Sequence, residues 1–445
     1  MSNVECPISD PQTRESYLYD LDEVPPPHLA LLYGMQWAFI MFPALIIAAT
    51  LGVNALGLKG ADEVRFLQLT LLTSGLFTAL QTLWGHRYPL LEGPSTALVL
   101  SFLLLAPYGL PAIQGGMIIG AVLLILVVVS RQLERMIRFF TPNVVGVVLM
   151  LIALGLLPAL LSFLTRMEGP GTRGDHRVFL ISLVLILFIA TLSYRLRGFL
   201  KSISLLLGMV VGSLLFLFMG RLEVGKLSDP GWVSFIGSWI PSAPEIFWPS
   251  VLAFASSYLA VMVNSLGSLQ SVAKVTDTAR LEHSTRRGIL INALAGIACG
   301  LVGVVGTVSY STSPGVVLVL RVASRYAVTY CGVILALAAF LPKLAALLAV
   351  VPKAVVGAAL CVALGAQIGV GISTVTSRTP TSRDYFVVGI PILLGTAVGF
   401  LPQTVSEQLP GPLQALAGNS LIVGISLVLL LEHLLLREDK STSTP

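Results

Sequence analysis

The sequence predicts an all-α polytopic membrane protein of 14 transmembrane segments, arranged as two inverted sets of seven with broken third and tenth segments. Three observations predict it. Of 445 residues, 55% are hydrophobic and 11% charged, and mean hydropathy is +0.89; soluble domains carry about 25% charged residues. Apolar runs of spanning length recur along the chain, with basic residues in the short loops between them. In each half the third run is short and follows a polar stretch rich in proline and glycine, the pattern of a discontinuous membrane helix.

Taken in order, residues 1–30 are polar, acidic and proline-rich and read as a poorly ordered cytoplasmic tail, so the first apolar run is a retained anchor. Spans are expected at 31–55, 66–84, 96–109, 113–133, 142–164, 177–194 and 200–219. After a loop at 220–248 come 249–271, 287–305, 314–321, 326–343, 347–371, 384–401 and 419–436. A full crossing needs about 20 apolar residues, so 96–109 and 314–321 are too short to span alone. An odd number of spans per half inserts the second half upside down relative to the first. Lys and Arg side with this layout. With the N-terminus inside, 15 fall in inward loops and 9 in outward ones, which places both termini in the cytoplasm.

The two broken segments carry the chemistry. Gly306–Arg325 opens with Thr307, Ser309, Tyr310, Ser311, Thr312 and Ser313, then Pro314-Gly315 and an apolar run to Leu320. Hydroxyls and irregular backbone at membrane depth need partners that lipid cannot supply, so this stretch packs inside the bundle or lines a cavity. Proline suits a first helical turn. Ser311–Ser313 is therefore expected to start a half-helix whose free N–H groups form a binding site. Arg87–Thr96, with Pro89, Glu92, Gly93 and Pro94, leads into Ala97–Leu105 in the same way. Paired broken segments in corresponding places of two halves point to a transporter's binding site.

Other classes are excluded by what the chain lacks. The net charge of +5 and pI near 9.1 come from short loops rather than a basic face, so nucleic acid is not an expected partner. Cys6, Cys299, Cys331 and Cys361 have no metal-ligand spacing, and the last three read as structural thiols in apolar segments. The five histidines are scattered, no phosphate-binding loop precedes a helix, and no metal or organic cofactor is expected. No enzymatic motif is present in the sequence.

At four places the residues match a known pattern. These are Gly34-Met35-Gln36-Trp37, Val263-Asn264-Ser265-Leu266-Gly267-Ser268, Thr312-Ser313-Pro314-Gly315 with Leu320-Arg321, and Val351-Pro352-Lys353-Ala354-Val355-Val356-Gly357. Over nearly its whole length the chain resembles the nucleobase–ascorbate transporters, also called nucleobase/cation symporter-2 or xanthine/uracil permeases. In the tenth segment Gly315 and Arg321 keep the family's motif places, while its acid or glutamine, its Asn and its Thr have changed, to Thr312, Ser313 and Leu320. The resemblance implies a core domain of spans 1–4 and 8–11 (31–139 and 249–345) and a gate domain of spans 5–7 and 12–14 (140–220 and 346–436). An extracellular loop at 221–248 and a C-terminal tail at 437–445 complete it. It further implies a homodimer in the cell membrane, alternating access, and substrate between the domains at the half-helix ends.

Candidate substrate contacts are Gln36, Ala44, Thr96, Asn264, Ser268, Tyr310, Ser311, Thr312 and Ser313. By resemblance, Asn264 and Thr312 stand where family members use carboxylates. Neither titrates near neutral pH, but an amide both donates and accepts, as a C=O/N–H edge of a planar base requires. Ser268 is either a ligand or a helix-packing hydroxyl. Tyr310 either stacks on a flat ring or anchors at the interface. Arg321 is structural, at the negative end of its half-helix. Glu92 is the carboxylate at a broken segment: it is a coupling residue, or it is locked to Arg87 or His86. The expected function is secondary transport of a nucleobase-like solute, with H+, Na+ or no coupling ion open. A small-anion transporter or exchanger using the two positive half-helix ends is the alternative, and a non-transporting receptor the third.

Overall fold

The computed structural model describes residues 17–165, 175–222, 231–234, 243–401, 405, 408 and 419–437. Cys6, the end of the C-terminal tail and most of the 221–248 loop lie outside the described residues. The first half comprises α1 (Pro27–Leu56), α2 (Ala61–Leu83), β1 (Glu92–Pro94), α3 (Thr96–Leu105), α4 (Leu110–Val129), α5 (Leu133–Ile137), α6 (Pro142–Gly155), α7 (Leu157–Thr165), α8 (His176–Arg195), α9 (Gly198–Ser202) and α10 (Ser204–Phe218). The second comprises α11 (Trp248–Val275), α12 (Leu281–Val302), β2 (Thr307–Ser309), α13 (Ser313–Leu320), α14 (Arg325–Ala338), α15 (Pro342–Ala349), α16 (Lys353–Val375), α17 (Ser382–Val398) and α18 (Ser420–Leu430). Among the described residues, 8 helices are long and apolar enough to cross a membrane, or 9 if α14 and α15, bent by 93°, count as one span.

The helices start where local chemistry satisfies their free N–H groups. Thr141 and Ser95 accept from backbone N–H groups at the starts of α6 and α3, and Asn419 does so for α18. Thr381 and Asp384 form a reciprocal capping box on α17. Gly57 and Gly303 end α1 and α12 in the left-handed conformation.

Helix packing repeats in mirror pairs. α2 lies on α14 as α12 lies on α4; α1 lies on α14 as α11 lies on α4. α6 and α16 face each other, with α8 and α10 on one side and α17 and α18 on the other. Lipid offers no hydrophobic drive between helices, so close approach rests on small residues. At the α6–α16 seam a Cβ on Gly146 would sit 2.7 Å from the Gly371 oxygen, and one on Gly371 2.9 Å from the Gly146 oxygen.

Three features differ from the sequence expectation. The polar leads pair as a two-stranded antiparallel ribbon, and the separate helix α15 bridges the end of the run expected at 326–343 and the start of the one expected at 347–371. The third concerns the tail: its first 16 residues lie outside the described ones, but 17–26 are ordered. Leu18 N–H donates to the Arg321 carbonyl (2.8 Å), Ala323 N–H to Tyr19 (3.0 Å) and Arg325 N–H to Leu21 (3.1 Å). Leu21 packs on Tyr88, Leu90 and Leu269, and Asp22 takes Arg280 Nη2 at 2.5 Å and Arg325 Nε at 2.7 Å. A polar segment looks unstructured when its partners lie some 260 to 300 residues away.

The Arg280 hydrogen bond, reinforced by Arg325 and opposed by partial burial, holds the Asp22 carboxyl below the usual carboxylate range. A lowered folded-state pKa contributes stability above the unfolded value, about 3.9, and loses it as pH falls through the folded value. Asp22→Asn is expected to lower stability near neutral pH by about 1 kcal/mol or less, because the carboxylate is half exposed. Thermal unfolding of both forms should show the gap closing below about pH 4. A gap unchanged at low pH would mean that the carboxylate charge is not what holds the segment.

Candidate functional site

β1 and β2 cross at the centre of the bundle in the register Glu92↔Ser309, Gly93↔Val308 and Pro94↔Thr307, all buried. Alternation along a strand puts Glu92, Pro94, Thr307 and Ser309 on one face of the ribbon and Gly93 and Val308 on the other. Gly93 is needed there: a Cβ would sit 2.7 Å from the Tyr310 hydroxyl and against the Met41 methyl. The ribbon is closed at both ends. Ser95 N–H donates to Gly306 (2.9 Å) and Tyr310 N–H to Leu91 (2.9 Å). Ser313 Oγ accepts from Leu91 N–H (3.2 Å) and Tyr310 donates to the Pro94 carbonyl (3.1 Å). β1 runs into α3 at one end of the ribbon and β2 leads to α13 at the other, so each half-helix has its positive end at the ribbon.

The candidate residues divide by how much of their chemistry the protein already uses. Ser268 is buried and donates to the Asn264 and Ser309 carbonyls at 2.9 and 3.0 Å, tying α11 to β2. Tyr310 and Ser313 are engaged within the ribbon, as above. Thr96 is half-buried and donates to Gln367 Oε1 on α16 at 3.3 Å; Gln367 in turn donates to the Leu149 carbonyl of α6 at 3.0 Å. Asn264 is half-buried, and among the described residues its amide makes no hydrogen bond. Ser311 and Thr312 are exposed at the start of α13, with Thr312 as its N-cap. Gly267 and Gly315 are exposed with open space where a Cβ would go. α11 packs on α13, so the helices that carry these groups are neighbours. On α1, Ala44 lies one turn beyond Met41 and is half-buried, Gln36 Oε1 is buried without a hydrogen bond among the described residues, and Trp37 is core.

Glu92 faces His86, not Arg87. Its Oε1 lies 3.6 Å from His86 Nε2, with both side chains fully buried, and accepts from Ser309 Oγ. Arg87 is exposed, in the left-handed region at φ 59°, and donates its Nε to the Leu83 carbonyl (3.1 Å). Behind the ribbon, Gln81 donates to Asn292 Oδ1 and to the Gly288 carbonyl (2.9 Å), and Asn292 donates to Ser265 (2.8 Å). Sequence reasoning passed over Gln81, Asn292 and Gln367; each is an amide inside an apolar span, which is the signal that identifies it. No group of three or more metal-ligating side chains occurs among the described residues.

A mostly helical bundle of apolar spans, with two broken helices meeting in a buried polar ribbon, is the architecture of a multi-pass membrane transporter. A sequence model described as a permease family, the xanthine/uracil permeases, matches residues 28–404, and the chain belongs to this nucleobase–ascorbate transporter family. It is similar to the uric acid permease PucK of Bacillus subtilis, with 27% identity over 88% of this chain and 92% of that one. It is also similar to the xanthine permease of the same organism, with 25% identity over 88% and 91%. Among solved structures the murine Solute Carrier 26 family member A9 anion transporter has a TM-score of 0.62 at 13% identity, covering 91% of this chain and 67% of that one; at that identity the likeness speaks to fold alone. The family's members are permeases, not enzymes.

Proposed function

We propose that the chain is a secondary transporter of a purine or pyrimidine base, working by alternating access. The observation that carries the reading is the uncommitted Asn264 amide on α11, one turn before Ser268, which bonds β2, on the helix that packs against α13 and its exposed start. An amide with a free donor and acceptor matches the C=O/N–H edge of a planar base, and helix-start N–H groups match its carbonyls. Relatives named as uric acid and xanthine permeases support the substrate class.

In this reading α1–α4 and α11–α14 are the core and α6–α10 and α16–α18 the gate. The mirror pairs of helix contacts support two inverted sets of seven spans. Thr96 to Gln367 is a contact between core and gate that movement would break and remake. Both termini are cytoplasmic, the protein works as a homodimer, and a cation, H+ or Na+, accompanies the base.

Ligand-induced thermal stabilisation tests it, with uric acid, xanthine, uracil, sulfate and bicarbonate as probes. A base at about 100-fold excess over its Kd should stabilise the protein by about 2.7 kcal/mol. Asn264→Ala is expected to weaken that base by about 10- to 100-fold, the cost of leaving its edge unpaired. Stabilisation by the anions and by no base would overturn the reading.

A further inference from the structure

We propose that Glu92 and His86 form a buried proton site that couples transport to the proton gradient, with Ser309 carrying its state to the substrate-binding strand. This rests on the transport reading above and selects its coupling ion.

Geometry sets Glu92 apart from the other buried carboxylates. Asp384 has arginine nitrogens at 3.0 and 3.4 Å and Glu432 has one at 3.2 Å. Glu92 is fully buried, and no Lys or Arg among the described residues pairs with it. Its Oε2 and the facing His86 Nε2 both lack a hydrogen-bond partner among the described residues. Each element packed on Glu92 contributes a neutral group. From α2, Thr78 Oγ1 accepts from the Glu92 N–H and donates to its carbonyl, both at 3.1 Å. From β2 comes Ser309, which donates to Glu92, and just past it Tyr310, whose hydroxyl is held by the Pro94 carbonyl. Arg325, reaching α2 from α14, is engaged by Asp22 and the Thr82 carbonyl (2.8 Å).

The imidazole is oriented for this pairing. His86 Nδ1 accepts the Tyr88 N–H at 3.0 Å, so the neutral ring carries its hydrogen on Nε2, the nitrogen that faces Glu92. At 3.6 Å it faces the carboxylate without hydrogen-bonding to it and adds no fixed charge. A charged carboxylate without a cation costs several kcal/mol in the interior, and a proton removes that charge. A glutamine would hold Ser309 equally well; what the acid adds is the ability to bind and release a proton. Ser309 stands two residues before Ser311. One proton from outside therefore adds to the Glu92 carboxylate as the base binds. The same proton leaves to the cytoplasm with the base, which restores the carboxylate.

The test uses the full-length protein in liposomes, with xanthine and uric acid as probes. At one proton per base, a gradient of one pH unit supports up to about tenfold accumulation. The wild type should accumulate base under an inward proton gradient, and Glu92→Gln should not. In purified wild-type protein, binding of xanthine in weakly buffered solution should take up close to one proton, which needs no variant to fold. His86→Gln, which keeps an N–H, should retain coupling with a shifted pH profile. Accumulation by Glu92→Gln equal to the wild type, or base binding without proton uptake, would overturn the proposal. If the wild type binds no base, the transport reading fails instead.

Discussion

Gly75→Val is expected to remove the folded protein from the membrane. α2 and α14 meet backbone to backbone at Gly75 and Gly332: a Cβ on Gly75 would lie 2.6 Å from the Gly332 oxygen and 3.0 Å from the Ala336 Cα. In the reverse direction, a Cβ on Gly332 would lie 2.6 Å from the Gly75 oxygen and 2.7 Å from the Ala79 nitrogen. Side chains that collide can change rotamer, and overpacking of that kind costs about 1–3 kcal/mol. Backbone atoms have no such escape, so the helices must separate. Separation also breaks the Gln68 bond to the Ala339 carbonyl and the Thr82–Thr329 bond, both 2.8 Å and both on this seam. The loss should exceed about 3 kcal/mol. Size-exclusion profiles of detergent-solubilised Gly75→Val and Gly332→Val should show aggregate. Gly389→Ala, where nothing lies within 4 Å of the new Cβ, should elute as the wild type. A monodisperse Gly75→Val protein with an unchanged melting temperature would refute the backbone contact.

Asp384→Ala is expected to destabilise the protein by about 3–5 kcal/mol, the cost of removing one partner from a buried ionic cluster. Asp384 is 2% exposed. It accepts from Asn143 Nδ2 (2.6 Å), from the Thr381 N–H and hydroxyl (2.8 and 2.9 Å), and from Arg378 (3.0 Å). Asn143 and Arg383 also reach Glu432, at 3.3 and 3.2 Å. This cluster joins the start of α6, the start of α17 and the turn that follows α18. Alanine leaves Arg378, Arg383 and Asn143 without their common acceptor and undoes the α17 capping box. Asp384→Asn, which keeps an acceptor oxygen, should fall between alanine and the wild type in thermal unfolding. A loss below about 1 kcal/mol for alanine would show that Glu432 alone satisfies the cluster.

These two sites differ in how visible they are beforehand. Gly75 and Gly332 are two of 41 glycines, and no local property separates them from Gly389; only the neighbouring helix makes them indispensable. Asp384 was legible in part, because Thr381 and Asp384 three residues apart before an apolar run form a helix-start signature. Its partners Asn143 and Glu432 were not.

The same division runs through the candidate site. Sequence placed both broken segments, expected the tenth at 314–321 where the structure has Ser313–Leu320, and named Asn264 and Glu92 as the polar groups to watch. It left Ser268 open between ligand and packing, and the structure has its hydroxyl donating to two carbonyls. It left Glu92 open between Arg87 and His86, and the structure turns it to His86.

What the sequence by itself determined is the membrane class, the helical content, the family and the two interruptions. Each follows from properties read over a few neighbouring residues: hydropathy, proline and glycine placement, and the alignment of short motifs. Tertiary structure alone decided the β1–β2 ribbon, the ordering of residues 17–26 and the pairing of Glu92 with Ser309, which is 217 positions away. A hydroxyl or carboxylate carries no mark of its eventual partner. That choice is made when helices held apart in sequence pack together and leave each buried polar atom only the acceptors and donors within its reach.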